Sequence, residues 1–428
     1  MILKINSTYL SKSLVIIFIV MTSCVEEINL ENESFESILV VEATITNENK
    51  QQEILLSRSY MFDSIPIKET NATVSVIDDL ANTYTFIETE PGVYKSQLAF
   101  AAQPDRYYNL SVVASNGNEY GSTQMQLTQQ TLIDNLYVER DFNENGIEGV
   151  SVYVDSFDPT GNSKYYRHEY EETYKIIAPL YSPEELLSNG VEFPILEADQ
   201  SSLGLNTMQD LIDFLVTRQF RPEQEQICYK TVESNTIIQA NTNEFLQDKL
   251  DKYRIHFINR ESATLRERYS ILVRQYVQSR EAFVFYETLN NFSGSESVFS
   301  EDQPGFLEGN VFSTQSNDEK VIGFFEVTSV DEKRIFFNYS DLFTNEPLPS
   351  YFLSCDEFYT PVLLKEDLVH NWIGSPLVDA INEGYQFYDE NVDGNNSPYF
   401  HAPFRLVLGP CGDCTFLGNN NIPDFWED

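Results

Sequence analysis

Basic residues are scarce in this chain of 428 residues: 27 Lys and Arg stand against 67 Asp and Glu, a formal net charge of −40. Such a chain repels phosphate backbones, which excludes nucleic acid as a partner. Histidine is scarcer still, with four residues, and Cys numbers five. Few ligands therefore exist for a zinc or haem site, and no cofactor is expected. His168, His256, His370 and His401 lie far apart, and none sits in a His-Glu-x-x-His pattern. A Gly-x-Ser-x-Gly elbow and a Gly-rich phosphate loop are both missing. Paired carboxylates of the glycoside-hydrolase kind carry no information among 67 acids. Long apolar runs are lacking too: the longest near the start, Leu14 to Met21, is eight residues, too short to cross ~30 Å of hydrocarbon as a helix. No internal repeat at a fixed period is visible, which disfavours solenoids and propellers.

What is present points outward from the cell. Lys4 and Lys12 precede the short apolar run, and Met21-Thr22-Ser23-Cys24 follows it. Residues 1–23 thus read as a secretory signal, and their ending resembles a bacterial lipobox, with Cys24 as the lipidated residue. Val25-Glu26-Glu27 behind it resembles the surface-export signal of Bacteroidota lipoproteins. Residues 24–36 carry five Glu with little apolar periodicity and read as an acidic tether.

The hydrophobic share of 42% can bury a sizeable core, and 25 Tyr with 30 Phe suit a β-rich exported protein. Branched and alternating stretches at 38–46, 72–77 and 83–88, with further short runs to 114, predict six or seven strands. We read 37–125 as an immunoglobulin-like β-sandwich. Residues 126–428 read as a larger β-rich domain with helical insertions near 205–255 and 279–291 and a loop-rich C-terminal region. The fold class expected is mainly β. In Thr207 to Arg218, Met208, Leu211, Ile212 and Leu215 fall on one helical face. A weaker helical pattern covers Phe245–Tyr253. Ser279 is placed to cap a helix running to Asn290, with Glu281 in its first turn and Ala282, Phe285, Tyr286 and Leu289 as its buried stripe.

Cys228, Cys355, Cys411 and Cys414 remain besides the anchor, an even number that in an exported protein implies disulfides with three possible connectivities. Our preferred pairing joins Cys355 to Cys411 or Cys414 and Cys228 to the other. A local Cys411–Cys414 ring, a redox pair and a zinc site are the weaker readings, since no βαβ context and no second Cys-x-x-Cys exists. Two loops carry the Asp-x-Asn-x-Asx-Gly spacing of calcium loops, from Asp141 and from Asp389. Their twelfth positions are Val152 and Phe400 rather than Glu, so turn formation is the plainer reading and no metal is expected. Asp63-Ser64-Ile65 fits the short pattern that Bacteroidota use for O-glycosylation, with Ser64 as the acceptor.

Several stretches together carry a family resemblance. They are the lipobox Cys24, Tyr269 to Tyr276 (YSILVRQY) with EAFVFYETLNN after it, Gln303-Pro304 with Gly309-Asn310, Gly323-Phe-Phe with Ser329-Val330, and Cys411-Gly-Asp-Cys414 to Pro423-Asp-Phe-Trp426. This set is similar to the Bacteroidota outer-membrane lipoprotein family called domain of unknown function 4249. Tyr229 after Cys228, where the family often has Trp, and Ile422 before Pro423, where a basic residue is frequent, depart from its pattern. The resemblance implies an outer-membrane lipoprotein, often encoded beside a TonB-dependent receptor, and brings no catalytic residues. The function expected is a lipid-anchored accessory protein facing the cell exterior, binding a TonB-dependent transporter partner or its ligand. The alternatives are an extracellular hydrolase using carboxylates and a structural component of the outer membrane.

Overall fold

The computed structural model describes residues 37–59, 67–294, 307–391 and 402–428. It is mainly β, with 45% strand and 14% helix. The signal, Cys24, the tether, Ser64 and His401 lie outside the described residues.

The first strands alternate as their sequence demands. In Leu39–Thr46, residues Leu39, Val41, Ala43 and Ile45 face inward while Glu42 faces out. Antiparallel neighbours follow in the order Glu53–Arg58, Val93–Ser96, Thr83–Glu90, Thr73–Asp78, Tyr107–Val113 and Glu119–Ser122. They share one core that includes Ile54, Val74, Tyr94, Tyr108 and Tyr120. That core also takes Val311, Val321, Phe325 and Val327, from chain about 200 residues further on. Val311–Ser313 pairs with Glu119–Ser122, and Val321 to Thr328 run parallel to Leu39–Thr46. The two ends of this ladder meet at Asn310. Its side chain donates to the Phe325 carbonyl (2.8 Å) and accepts the Phe325 amide (2.7 Å), closing the roll.

Val321–Phe337 is a single 17-residue strand that serves two bodies. Its second half pairs antiparallel with Tyr269–Val277, which pairs with Tyr165–Ile177. This sheet packs on a second one, Ile133–Phe142, Glu148–Asp158 and Asp248–Asn259, around Val152, Val154, Ile258, Tyr269, Ile271 and Phe337.

A third core gathers Leu186, Leu211, Leu215, Leu363, Trp372, Leu377 and Phe404. It joins residues near 186–216 to the C-terminal region. Met208–Leu215 is helical, with a Thr207/Asp210 capping box, and ends at Leu215 because Val216 already pairs antiparallel with Ser188.

The expected helix over Phe245–Tyr253 is a strand. Asp248–Asn259 pairs with Glu148–Asp158, and Phe245 and Leu246 lie exposed in the turn before it. The ladder slips twice there, and Lys252 adopts a left-handed conformation (φ 54°). That irregularity breaks the two-residue alternation by which a strand is recognised in sequence. The helical content near 205–255 is therefore the Met208–Leu215 segment alone.

Candidate functional site

The seam where the roll and the second body part company carries a built polar site. Tyr165–Ile177 sends Tyr166, His168, Tyr170, Glu172 and Tyr174 to one face and Arg167, Glu169 and Glu171 to the other. Arg167 is buried, at 7% exposure, against the outer side of the roll. Its guanidinium lies between two rings, 4.4 Å from the centroid of Tyr276 and 4.8 Å from that of Tyr286. Tyr276 closes the YSILVRQY strand, and Tyr286 comes from the Arg280–Gly294 helix. That helix begins as expected, with Ser279 Oγ accepting the Ala282 amide, and packs Phe285 on Phe324 of the shared strand.

Arg167 reaches two carboxylates. It pairs closely with Glu169, and its other arm lies 3.5 Å from Glu326 on the shared strand. Glu326 is fully enclosed, and Gln278 donates to its second oxygen at 3.3 Å. Burial pushes the Glu326 carboxyl above its ordinary range, while Arg167 and Gln278 pull the other way. The Tyr276 hydroxyl donates to Glu169 at 3.0 Å. The Nε of Arg167 is buried with no partner.

Above this layer opens a cleft of about 530 Å³. Glu42 and Glu53 form one wall, Leu289 and residues 233–237 the others, with Arg167 and Arg274 in the floor. Arg274 lies 3.2 Å from Glu332, and Arg334 lies 2.6 Å from Glu171, so the sheet's outer face carries paired charges in rows. At its far end the C-terminal tail is seated: Arg334 lies over the Phe425 ring at 3.5 Å, and Trp426 packs edge-on against Phe336.

The charges of this site are matched to one another. Its cations are already paired, and Glu326, the carboxyl with the raised proton affinity, is closed off from the cleft by Arg167 and Gln278. A general acid must reach the substrate atom it protonates.

Of the other residues singled out in the sequence, His168 borders the cleft beside Arg167, and the rest fall elsewhere. Cys228 bonds Cys414 and Cys355 bonds Cys411, at sequence separations of 186 and 56. Both bridges sit where the third core meets the second body. Arg221 fills the same junction: it donates to the Ser182 carbonyl and to Gln386 and pairs with Glu225. Asp141 ends a strand and accepts from Tyr153 and Ser151. Asn143 Oδ1 takes the Asn145 and Ile147 amides, which makes this loop a hairpin turn. Asp389 is engaged by Arg405, and most of the loop after it lies outside the described residues. No group of three or more metal-type ligands occurs among the described residues. His168 is buried, its Nε2 3.1 Å from Gln275 Oε1. His256 lies 3.6 Å from Glu172, and His370 is in an exposed turn. Arg167, Glu169 and Glu326 carried no sequence motif. The one signal was the alternation in YYRHEYEETY, which puts all its charge but Glu172 and His168 on a single face.

Residues 25–334 match the family model described as Domain of unknown function (DUF4249), and the chain belongs to that family. A search of curated proteins found no match. Four of the stretches that carry the resemblance meet at the seam: Tyr269–Tyr276, the helix after it and Gly309-Asn310 border Arg167 or the shared strand, and Gly323-Phe-Phe lies within that strand.

Proposed function

We propose that this protein is a lipid-anchored accessory protein of the outer membrane, facing the cell exterior, that binds a TonB-dependent receptor or the ligand which that receptor takes up. The observation that carries binding over turnover is the seam cleft: a floor of arginines and carboxylates already neutralised by one another, held rigid by two tyrosine rings and a buried glutamate. Such a floor offers fixed donors and acceptors to a ligand. Two disulfides across the C-terminal region agree with an oxidising compartment. The acylated Cys24 would supply the anchor, and the receptor as partner is what the resemblance carried by the sequence implies.

Affinity purification of the tagged full-length protein from native outer membranes, followed by mass spectrometry, tests this reading. A TonB-dependent receptor should be enriched. Recovery of the protein without any receptor, and without a receptor's ligand, overturns it.

A further inference from the structure

The third body carries an exposed apolar edge that the fold holds out rather than tucks away. Leu368 and Val369 form the tip of the turn between the two short strands Lys365–Glu366 and Trp372–Gly374, and they are 101% and 62% exposed. Ile195 and Trp372 form an antiparallel bridge with hydrogen bonds of 2.8 and 2.9 Å. The bridge turns Trp372 into the core, and by alternation it places Leu196 (52% exposed) and Ile373 (45% exposed) on the opposite side. Single exposed leucines need no explanation, but here Leu196 and Ile373 flank the bridge while Leu368 and Val369 cap the adjoining turn, and exposed apolar residues gathered in this way mark interaction sites.

The edge is rigid. Asp367 Oδ1 accepts the amides of Val369 and Asn371 at 2.9 Å, and its Oδ2 accepts the Asn371 side-chain amide at the same distance. Asn371 in turn accepts the Glu197 amide at 3.0 Å, and Gln200 donates to the His370 carbonyl at 2.7 Å. Two segments about 170 residues apart are thus laced together. His370 holds a left-handed φ of 60° inside the turn. A loose loop would fold its leucine against the body. This one presents Leu368 in a fixed position, which lowers the ordering cost of docking.

The charge around the edge defines the partner. Over residues 184–221, 355–391 and 402–407 the sequence has fifteen carboxylates against four Lys or Arg, a net of −11. Glu197, Asp199, Glu366 and Asp367 flank the apolar tip itself. A bilayer surface of negative potential repels such a rim. A protein groove that is apolar inside and lined by Lys or Arg fits it, with the charge steering approach and the leucine anchoring the contact.

We propose that the Leu196, Leu368, Val369 and Ile373 edge is a docking surface for a partner protein presenting an apolar groove with a basic rim. This rests on the reading above that the protein works beside a partner, and it names where the contact is made. The test puts a photo-reactive benzoylphenylalanine in place of Leu368 in the full-length anchored protein and irradiates native outer membranes. The expected adduct is with one other protein, through a peptide in which Lys or Arg flanks apolar residues. Added Val369→Asp and Ile373→Asp should reduce it at least tenfold, as should 0.5 M salt, with the thermal midpoint unchanged. Adducts with lipid alone, with a second copy of this chain, or with no protein overturn the proposal. If the unmodified protein still co-purifies a receptor in that case, only the surface is wrong; if it co-purifies none, the functional reading falls with it.

Discussion

Gly309 and Gly323 touch backbone to backbone: a Cβ on Gly309 would sit 1.6 Å from the Gly323 carbonyl oxygen. The contact brings Asn310 against Phe325 and so closes the roll. Gly323 itself has φ 147° and leaves no room beside Val41. Gly309→Ala must therefore move a strand, and it should lower the urea midpoint more than Asn310→Ala. The latter orphans two backbone groups of Phe325 and should cost about 2–4 kcal/mol. Equal, small effects of both substitutions would show that the roll is not closed here.

Arg167 and Glu326 should behave as a coupled pair. Arg167→Met leaves Glu326 enclosed without its cation and should destabilise by about 3–5 kcal/mol in chemical denaturation. Adding Glu326→Leu should recover most of that loss, because replacing both partners removes the buried charge altogether. A double variant no more stable than Arg167→Met would refute the coupling.

His168 gives the protein an acid sensitivity of definite sign. Burial holds its folded pKa down to about 4, with the Arg167 charge acting in the same direction, against about 6.5 in the unfolded chain. Below pH 6.5 the unfolded chain takes up a proton that the folded one refuses. The contribution is full above that pH and is lost as pH falls toward 4, by about 3 kcal/mol in all. Denaturation at pH 7.5 and 4.5 should show a smaller loss for His168→Gln than for the natural protein. Identical losses would show that another group controls the acid limb.

The two disulfides should open in order. Cys228, Cys411 and Cys414 are buried, whereas Cys355 is partly exposed. Graded reduction with alkylation and mass mapping should therefore label Cys355 and Cys411 first. In the chain-entropy picture the bridges are worth about 4 kcal/mol for Cys355–Cys411 and about 5 kcal/mol for Cys228–Cys414, with overlapping loops making the sum smaller. Early labelling of Cys228 would contradict the order.

Replacing Cys24 with Ala should shift the protein from the membrane to the soluble fraction while leaving its thermal midpoint unchanged, since the described core begins only at Leu39. Retention in the membrane fraction would mean that another feature anchors the chain.

Local patterns were legible wherever one element's burial was decided by its own residues. Ser279 and the stripe of Ala282, Phe285, Tyr286 and Leu289 define a helix without outside help, and so does the face of Met208, Leu211, Ile212 and Leu215, although the pattern ran on to Arg218 where Val216–Phe220 is a strand. Leu39–Thr46 alternates cleanly because one of its faces is core. The misread stretch near Lys252 failed because a left-handed residue resets the alternation midway. The seam was illegible for a different reason. Arg167 and Glu326 are 159 residues apart, and each looks like an ordinary surface charge until the strands that carry them are placed side by side. In a chain with 67 acids, no single glutamate announces that it will be enclosed.

The strand shared by the roll and the second body also sets a timetable. Leu39 pairs with Val321 and Thr46 with Thr328, so the first strand among the described residues must wait for a partner synthesised some 280 residues later. Contacts of that span are slow to form, because a long loop has to close before they repay it. Until Thr328 has been delivered, Leu39–Thr46 presents an unpaired apolar edge, the hazard that chaperones exist to cover. A chain that folds as it is made from its N-terminus therefore stays unfinished for long, and the body to which Leu39–Thr46 belongs is completed by segments that arrive late.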